Sequence, residues 1–257
     1  MSRNFDFKTA CTHPCKTEAE FEALQIRVQE KGHGWMVPIL MEMDAKTHRR
    51  WQWWAPALVT RKVPEGPIPQ ISFESDGSRG VAETQRMISW CLDGIQCGDR
   101  KEALRYLIAW LAWSLGIESE IPDGRHVEKH ACAILYQRFV LDMFVVYPFD
   151  HLGDALCEVE HGQGKRSNAF YPTPMSLVVL MSGLTYGGTD TEQTKLKPAY
   201  DPTMGTGRTL LVASNHSLFL YGQDIDALVL DVAKINFMIY APWGMFPLKP
   251  SEIEEST

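Results

Sequence analysis

Two short motifs, Asp201-Pro-Thr-Met-Gly-Thr-Gly207 and Gly222-Gln-Asp-Ile-Asp226, constrain this chain more than any other feature. A short apolar lead-in, Pro198-Ala199-Tyr200, runs into the first motif, and Arg208-Thr-Leu-Leu-Val-Ala-Ser214 continues it as the start of a helix. Glycines at 205 and 207 let the backbone turn sharply and approach a ligand with no Cβ in the way. The helix behind them presents unpaired N–H groups toward that ligand. Asp224, at the tip of the next strand, has a carboxylate able to accept two hydroxyl hydrogen bonds from a ribose. Glycine turn followed by acid is the nucleoside-binding logic of a doubly wound sheet.

The flanking patterns divide the chain in two. Residues 1–15 carry no periodicity. Thr17 stands as an N-cap before Ala19, Phe21, Leu24 and Val28, which recur at helical spacing until Gly32-His-Gly34. Trp35–Met41 is a short apolar run open to either strand or helix. Pro64–Gly80 holds prolines at 64, 67 and 69 and reads as a long surface loop. Residues 81–93, 100–117 and 126–146 read as three consecutive helices, a bundle region without strand alternation. Polar Glu158–Ser167 marks the expected boundary between a mainly helical N-terminal domain (1–160) and a cofactor-binding domain (165–257). Beyond it the pattern alternates: helix at Pro174–Leu184, strand at Leu196–Tyr200, helix at Arg208–His216, strand at Leu218–Gln223, helix at Ile225–Ile239.

Two further strings frame the motifs, Asn168-Ala-Phe170-Tyr171-Pro-Thr173-Pro174 upstream and Ala233-Lys-Ile-Asn236-Phe-Met238 downstream. As a set, over roughly residues 165–240, they resemble the S-adenosylmethionine-binding half of the N6-adenine DNA methyltransferases, in particular the modification subunits of type I restriction systems. The resemblance implies an α/β fold, a Rossmann-like methyltransferase domain preceded by the helical N-terminal domain. It also implies S-adenosyl-L-methionine as cofactor and adenine in DNA as substrate. Phe170, Tyr171, Thr173 and Pro174 would then pack beside the methionine end of the cofactor, Thr173 donating to its carboxylate. A loop-to-helix entry with a hydrophobic staple is the structural alternative for that segment. Asp201 and Pro202 would sit near the methionine amino group, and Gly205 and Gly207 would admit the backbone. Asp224 would take the ribose hydroxyls and Ile225 would pack on the adenine face. Asn236 reads as a structural bridge. Arg208 stands where the family has a small residue, which implies a more crowded or more positive rim.

The family also places Asn/Asp-Pro-Pro-Tyr/Phe several dozen residues after the cofactor acid, on a loop that grips the flipped adenine. No such tetrapeptide occurs in the 257 residues. The nearest strings are Tyr147-Pro-Phe-Asp150, upstream on the wrong side, and Ala241-Pro-Trp243, too early. No residue is therefore assigned to catalysis. Two functions from different classes stand: an enzyme that methylates adenine, and a non-catalytic binding or regulatory partner of an active methyltransferase.

Charge and composition limit the partners. A net charge of −7 lacks the basic footprint of a self-sufficient nucleic-acid binder, so DNA would be reached through a local patch or a partner such as a methyltransferase or specificity subunit. His48-Arg-Arg-Trp-Gln-Trp-Trp54 offers rings for stacking and arginines for phosphate; the alternative is that its tryptophans fill a core. Six cysteines form no disulfide framework, and without an N-terminal signal peptide the expected setting is the cytoplasm. Cys11, His13 and Cys15 lie too close together for a zinc pair. His126 and His130, read on one helix face, are not in zincin order, so no metal is expected. Ala103–Ile117 and Ala131–Phe149 are apolar but interrupted by Arg105, Gln137, Arg138 and Asp142, so they read as buried helices rather than membrane spans.

Overall fold

Residues 15–162, 171–187 and 194–249 are described by a computed structural model. Nine helices precede the first strand among these residues. They are α1 (Glu18–Glu30), α2 (Val37–Lys46), α3 (Arg50–Thr60), α4 (Arg79–Gly94), α5 (Arg100–Ser114), α6 (Ala131–Arg138), α7 (Leu141–Val146), α8 (His151–Gly162) and α9 (Met175–Tyr186). Then come β1 (Ala199–Asp201), α10 (Arg208–Ala213), β2 (Leu220–Gly222), α11 (Ala227–Tyr240) and the single turn α12 (Pro242–Met245).

Local chemistry sets most helix starts. Thr17 accepts from the Glu20 N–H at 3.3 Å while Glu20 accepts from the Thr17 N–H at 2.9 Å, a capping box for α1. Ser78 caps α4 and Asp99 caps α5 through their side-chain oxygens. α3 is capped from outside its own sequence. The buried Asp44 carboxylate accepts the N–H groups of Arg50 at 3.0 Å and Trp51 at 2.7 Å. Trp35–Met41 enters a helix, with Pro38 in the first turn of α2. The apolar run at 126–146 is not one helix. Phe139 and Val140 are extended and separate α6 from α7, and His126 lies before α6 begins, so it shares no helix face with His130.

The expected Rossmann-like α/β domain is not what forms. The protein is mostly helical, and its described residues hold one sheet of two short parallel strands, paired Ala199 to Leu220, Tyr200 to Tyr221 and Asp201 to Gly222. The two runs bounded by turns became those strands. The other apolar segments after residue 170 repeat at the helical period, and α9 and α11 are helices. α11 buries its apolar surface against α5, α7 and α8, while α10 lies on the strand pair. Among the described residues no central sheet is left for a doubly wound layer.

One hydrophobic cluster runs from Val28 in α1 through Trp51, Trp54, Trp110 and Phe144 to Tyr240, Trp243 and Leu248. The His48–Trp54 segment is part of it: Arg50, Trp51 and Trp54 are buried, which makes it core rather than a nucleic-acid surface. The Arg50 guanidinium is wholly buried, and it donates to the carbonyls of Pro69 and Tyr240 at 2.8 Å, to Ser214 Oγ at 2.6 Å and to Asn215 Oδ1. Burial pulls its pKa down to about 9, against a smaller opposing effect of Asp44. It also stacks 4.9 Å from the Trp243 ring. α8 continues through Gly162, so the first half of Glu158–Ser167 is helical. No helix among the described residues is long and apolar enough to cross a membrane.

Candidate functional site

The glycine turn follows β1. Asp201 Oδ1 accepts the Thr203 N–H at 3.0 Å, and Met204 N–H donates to the Gln223 carbonyl at 3.0 Å. Gly205 (φ 56°) and Gly207 (φ 88°) take the left-handed conformation that L residues avoid, and Gly207 is the N-cap of α10. Gly207 is also crowded, since a Cβ there would stand 3.2 Å from the Phe237 ring. Asp224 reaches back into this turn. Its Oδ2 accepts the Gly205 N–H at 3.0 Å and its Oδ1 the Asp226 N–H at 3.1 Å, while Asp226 in turn caps α11.

A cleft of about 470 Å³ opens over the turn, at the carboxyl ends of both strands. Among the residues singled out from the sequence, Tyr171, Thr173, Asp201, Gly205, Asp224 and Ile225 line it together. Pro174, Pro202 and Gly207 do not: Pro174 is the N-cap of α9, and Gly207 backs onto Phe237. Phe170 lies outside the described residues, as do Cys11 and His13 of the cluster read as no zinc pair. Pro172, Thr203, Met204, Thr206, Arg208, Thr209, Asp226 and Val229 complete the lining. Ile225 is 98% exposed, so nothing in the described chain covers it.

Sequence reasoning missed what lies beneath the turn. Asp150, set aside as part of Tyr147-Pro-Phe-Asp150, is completely buried there. Its Oδ2 accepts from Thr206 Oγ1 and from Arg208 Nε at 2.8 Å, and its Oδ1 accepts from Asn236 Nδ2 and the Gly153 N–H at 2.8 and 3.0 Å. Asn236 Nδ2 also donates to the Thr206 carbonyl at 3.0 Å, the bridging role read from its position. Arg208 extends the network by donating to Asp154 Oδ1 and, at 3.1 Å, to the Thr173 carbonyl. Burial works against the Arg208 charge, but the Asp150 and Asp154 carboxylates outweigh it and hold its pKa above the usual guanidinium value. Asp154 is raised by its own burial in spite of Arg208. Two carboxylates, Asp150 and Asp154, offset the single guanidinium of Arg208.

The cleft wall is acidic. Asp201, Asp224 and Asp226 line it, and its one cation is already engaged. Such a wall suits a ligand with hydroxyls and a positive group and opposes a pyrophosphate, which calls for free N–H donors and cations. The two aromatics nearest in sequence to a base-gripping string are committed elsewhere. Trp243 is buried against Trp53 and Trp54 and donates to the Ser217 carbonyl at 3.1 Å, and Tyr147 packs over Gly80. Compared with protein-family models, curated proteins and solved structures, the chain matches none.

Proposed function

We propose that the cleft binds S-adenosyl-L-methionine or a close relative, and that the protein serves DNA adenine-N6 methylation as the cofactor-holding partner of another chain. The observation that carries this reading is the convergence of the Gly205 turn and the Asp224 carboxylate on one acidic cleft. Each Asp224 oxygen accepts one backbone N–H and keeps a second lone pair for a ribose hydroxyl. Asp201 lines the cleft and offers a carboxylate to the ammonium group that the resemblance implies, and Tyr171 and Ile225 offer an apolar edge to a flat ring. When bound, the cofactor supplies an electrophilic methyl group; the chain's part is to orient the nucleoside and to offset positive charge.

The partner role rests on a second observation. Trp243 is buried and Tyr147 packs over Gly80, so neither aromatic is placed to grip a flipped adenine. Titration calorimetry of the purified chain with S-adenosylmethionine and S-adenosylhomocysteine tests the proposal. Heat with a one-to-one endpoint is expected. No heat and no thermal shift with either ligand at high concentration sinks it.

A further inference from the structure

The chain's own carboxylates occupy the places where the cleft would receive negative charge. Arg208 is the one cation among the described lining residues, and Asp150 and Asp154 hold it from beneath. Three helices begin around the cleft, and a helix start attracts anions through its unpaired N–H groups and partial positive charge. The start of α11 is filled by Asp226, whose Oδ1 accepts the Leu228 N–H at 2.9 Å. The start of α9 is filled by Asp76, which accepts the Met175 and Ser176 N–H groups at 3.1 and 3.2 Å. The third helix, α10, is six residues long, and the buried Asp150 carboxylate lies under its first turn, bonded to Thr206 and Arg208. Two helix starts are thus occupied and the third is offset.

The charges left open are negative. Asp201, Asp224 and Asp226 line the cleft, and none of the three makes an ion pair among the described residues. Asp201 and Asp224 are half-buried, so solvent screens them less than it screens a surface carboxylate. Backbone hydrogen bonds hold them in place, from Thr203 to Asp201 and from Gly205 and Asp226 to Asp224. Carboxylates fixed in this way act on a ligand's charge without having to reorganise.

S-adenosylmethionine and S-adenosylhomocysteine differ by one methyl group and one positive charge, on sulfur. On the reading that the cleft binds this cofactor, we propose that it senses that charge and selects the methylated form over the spent one. The ammonium and carboxylate are common to both ligands and cancel in the comparison. A unit charge roughly 7 Å from a fixed carboxylate, at an effective dielectric constant of about 20–40, changes binding by about tenfold or more. The preference bears on turnover with a partner chain. When the methyl group passes to an amine, the C–S bond breaks and its electron pair stays on sulfur. The amine's lone pair forms the new C–N bond, and the amine loses a proton. The thioether left behind has lost the charge that the cleft holds, so it yields its place to fresh cofactor.

Titration calorimetry of the full chain tests this at about 20 mM and about 500 mM sodium chloride, on either side of the range where screening sets in. The ligands are S-adenosylmethionine, S-adenosylhomocysteine and sinefungin, whose added amine keeps the positive charge without a sulfonium. The two cationic ligands should bind about tenfold more tightly than the thioether at low salt, with the gap narrowing at high salt. Asp201→Asn combined with Asp226→Asn retains an oxygen to accept the Thr203 and Leu228 N–H groups while removing two charges. That double variant should bring the preference below about threefold. Equal or tighter binding of the thioether, sinefungin that follows the thioether, a gap indifferent to salt, or a ratio unmoved in the double variant overturns the selection by charge and leaves the cofactor reading standing. Binding of none of the three ligands removes both.

Discussion

Arg208 Nε donates to Asp150 Oδ2 across 2.8 Å, and the two side chains are 5% and 0% exposed. The pair joins the first residue of α10 to the residue before α8, so it ties the glycine turn to the helical part of the molecule. Removing Asp150 leaves the buried Arg208 with the Asp154 carboxylate as its one close counter-ion and takes the acceptor from the buried Thr206 hydroxyl and from one N–H of Asn236. Asp150→Ala should therefore cost about 3–5 kcal/mol in urea unfolding. Asp150→Asn, which keeps acceptor geometry on one oxygen, should cost less. Equal stability of the alanine variant would mean that water reaches Arg208.

Gly207 carries two separable penalties. Alanine there would be strained by its φ of 88° and would press on the Phe237 ring. Gly32 has a similar φ of 77° and open space around it. Gly32→Ala should lose about 1–2 kcal/mol from the backbone alone, and Gly207→Ala more. Matching denaturation midpoints for the two variants would remove the packing argument.

Asp224→Ala should weaken binding of S-adenosylmethionine by about 1.5–3 kcal/mol, the usual worth of hydrogen bonds to a charged group. Titration calorimetry reads this directly. An unaltered dissociation constant would place the nucleoside somewhere other than over Asp224.

Methyl transfer by the pure chain should be negligible. A flipped adenine needs an acceptor for its amino protons, and losing positioned hydrogen bonds of that kind costs about 10²–10³-fold in rate. Tritium transfer from labelled cofactor to duplex and single-stranded DNA, with and without source lysate, measures it. Robust labelling by the pure protein would refute the partner role, whereas labelling only with lysate would support it.

His151 predicts a pH dependence. Burial lowers its pKa to about 4, Asp150 and the Tyr147 carbonyl act in the opposite direction, and Arg208 adds a smaller depression. The unfolded chain takes up this proton near pH 6.5 and the folded protein only near 4. Its contribution is thus complete above about pH 6.5 and is lost as pH falls toward 4, on the order of 3 kcal/mol in all. His151→Gln should flatten the stability profile across that window. A slope identical to that of the unmodified protein would show that other groups carry it.

What the sequence discloses here follows the range of the interactions involved. Thr17, Ser78 and Asp99 act within three residues of themselves, so the starts of α1, α4 and α5 can be read locally. The glycine turn and Asp224 are also legible, because φ and hydrogen bonding over a short loop define them. The extent of the sheet is not, since pairing depends on strands supplied from elsewhere and only Ala199–Asp201 and Leu220–Gly222 pair. Asp150 shows locally only in accepting the Gly153 N–H at the start of α8; its other partners, Thr206, Arg208 and Asn236, are all more than fifty residues away. The His48–Trp54 segment did hold a clue. Arg50, Trp51 and Trp54 recur at helical spacing, which is what burying one face requires.

Arg50 and its neighbours also set the order in which this molecule can be made. Trp51 Nε1 donates to the Met238 carbonyl, Arg50 to that of Tyr240 and Trp54 to that of Phe246, at 2.8, 2.8 and 3.0 Å. During synthesis α3 is translated well before these three carbonyls, although the Pro69 carbonyl that Arg50 Nε also reaches follows only 19 residues behind it. Its helix can form on the ribosome, but its burial must wait until residue 246 has cleared the exit tunnel. Across the 187 to 192 residues that separate these partners the nascent chain carries two indoles without their acceptors, so the final packing of α3 follows the translation of α12.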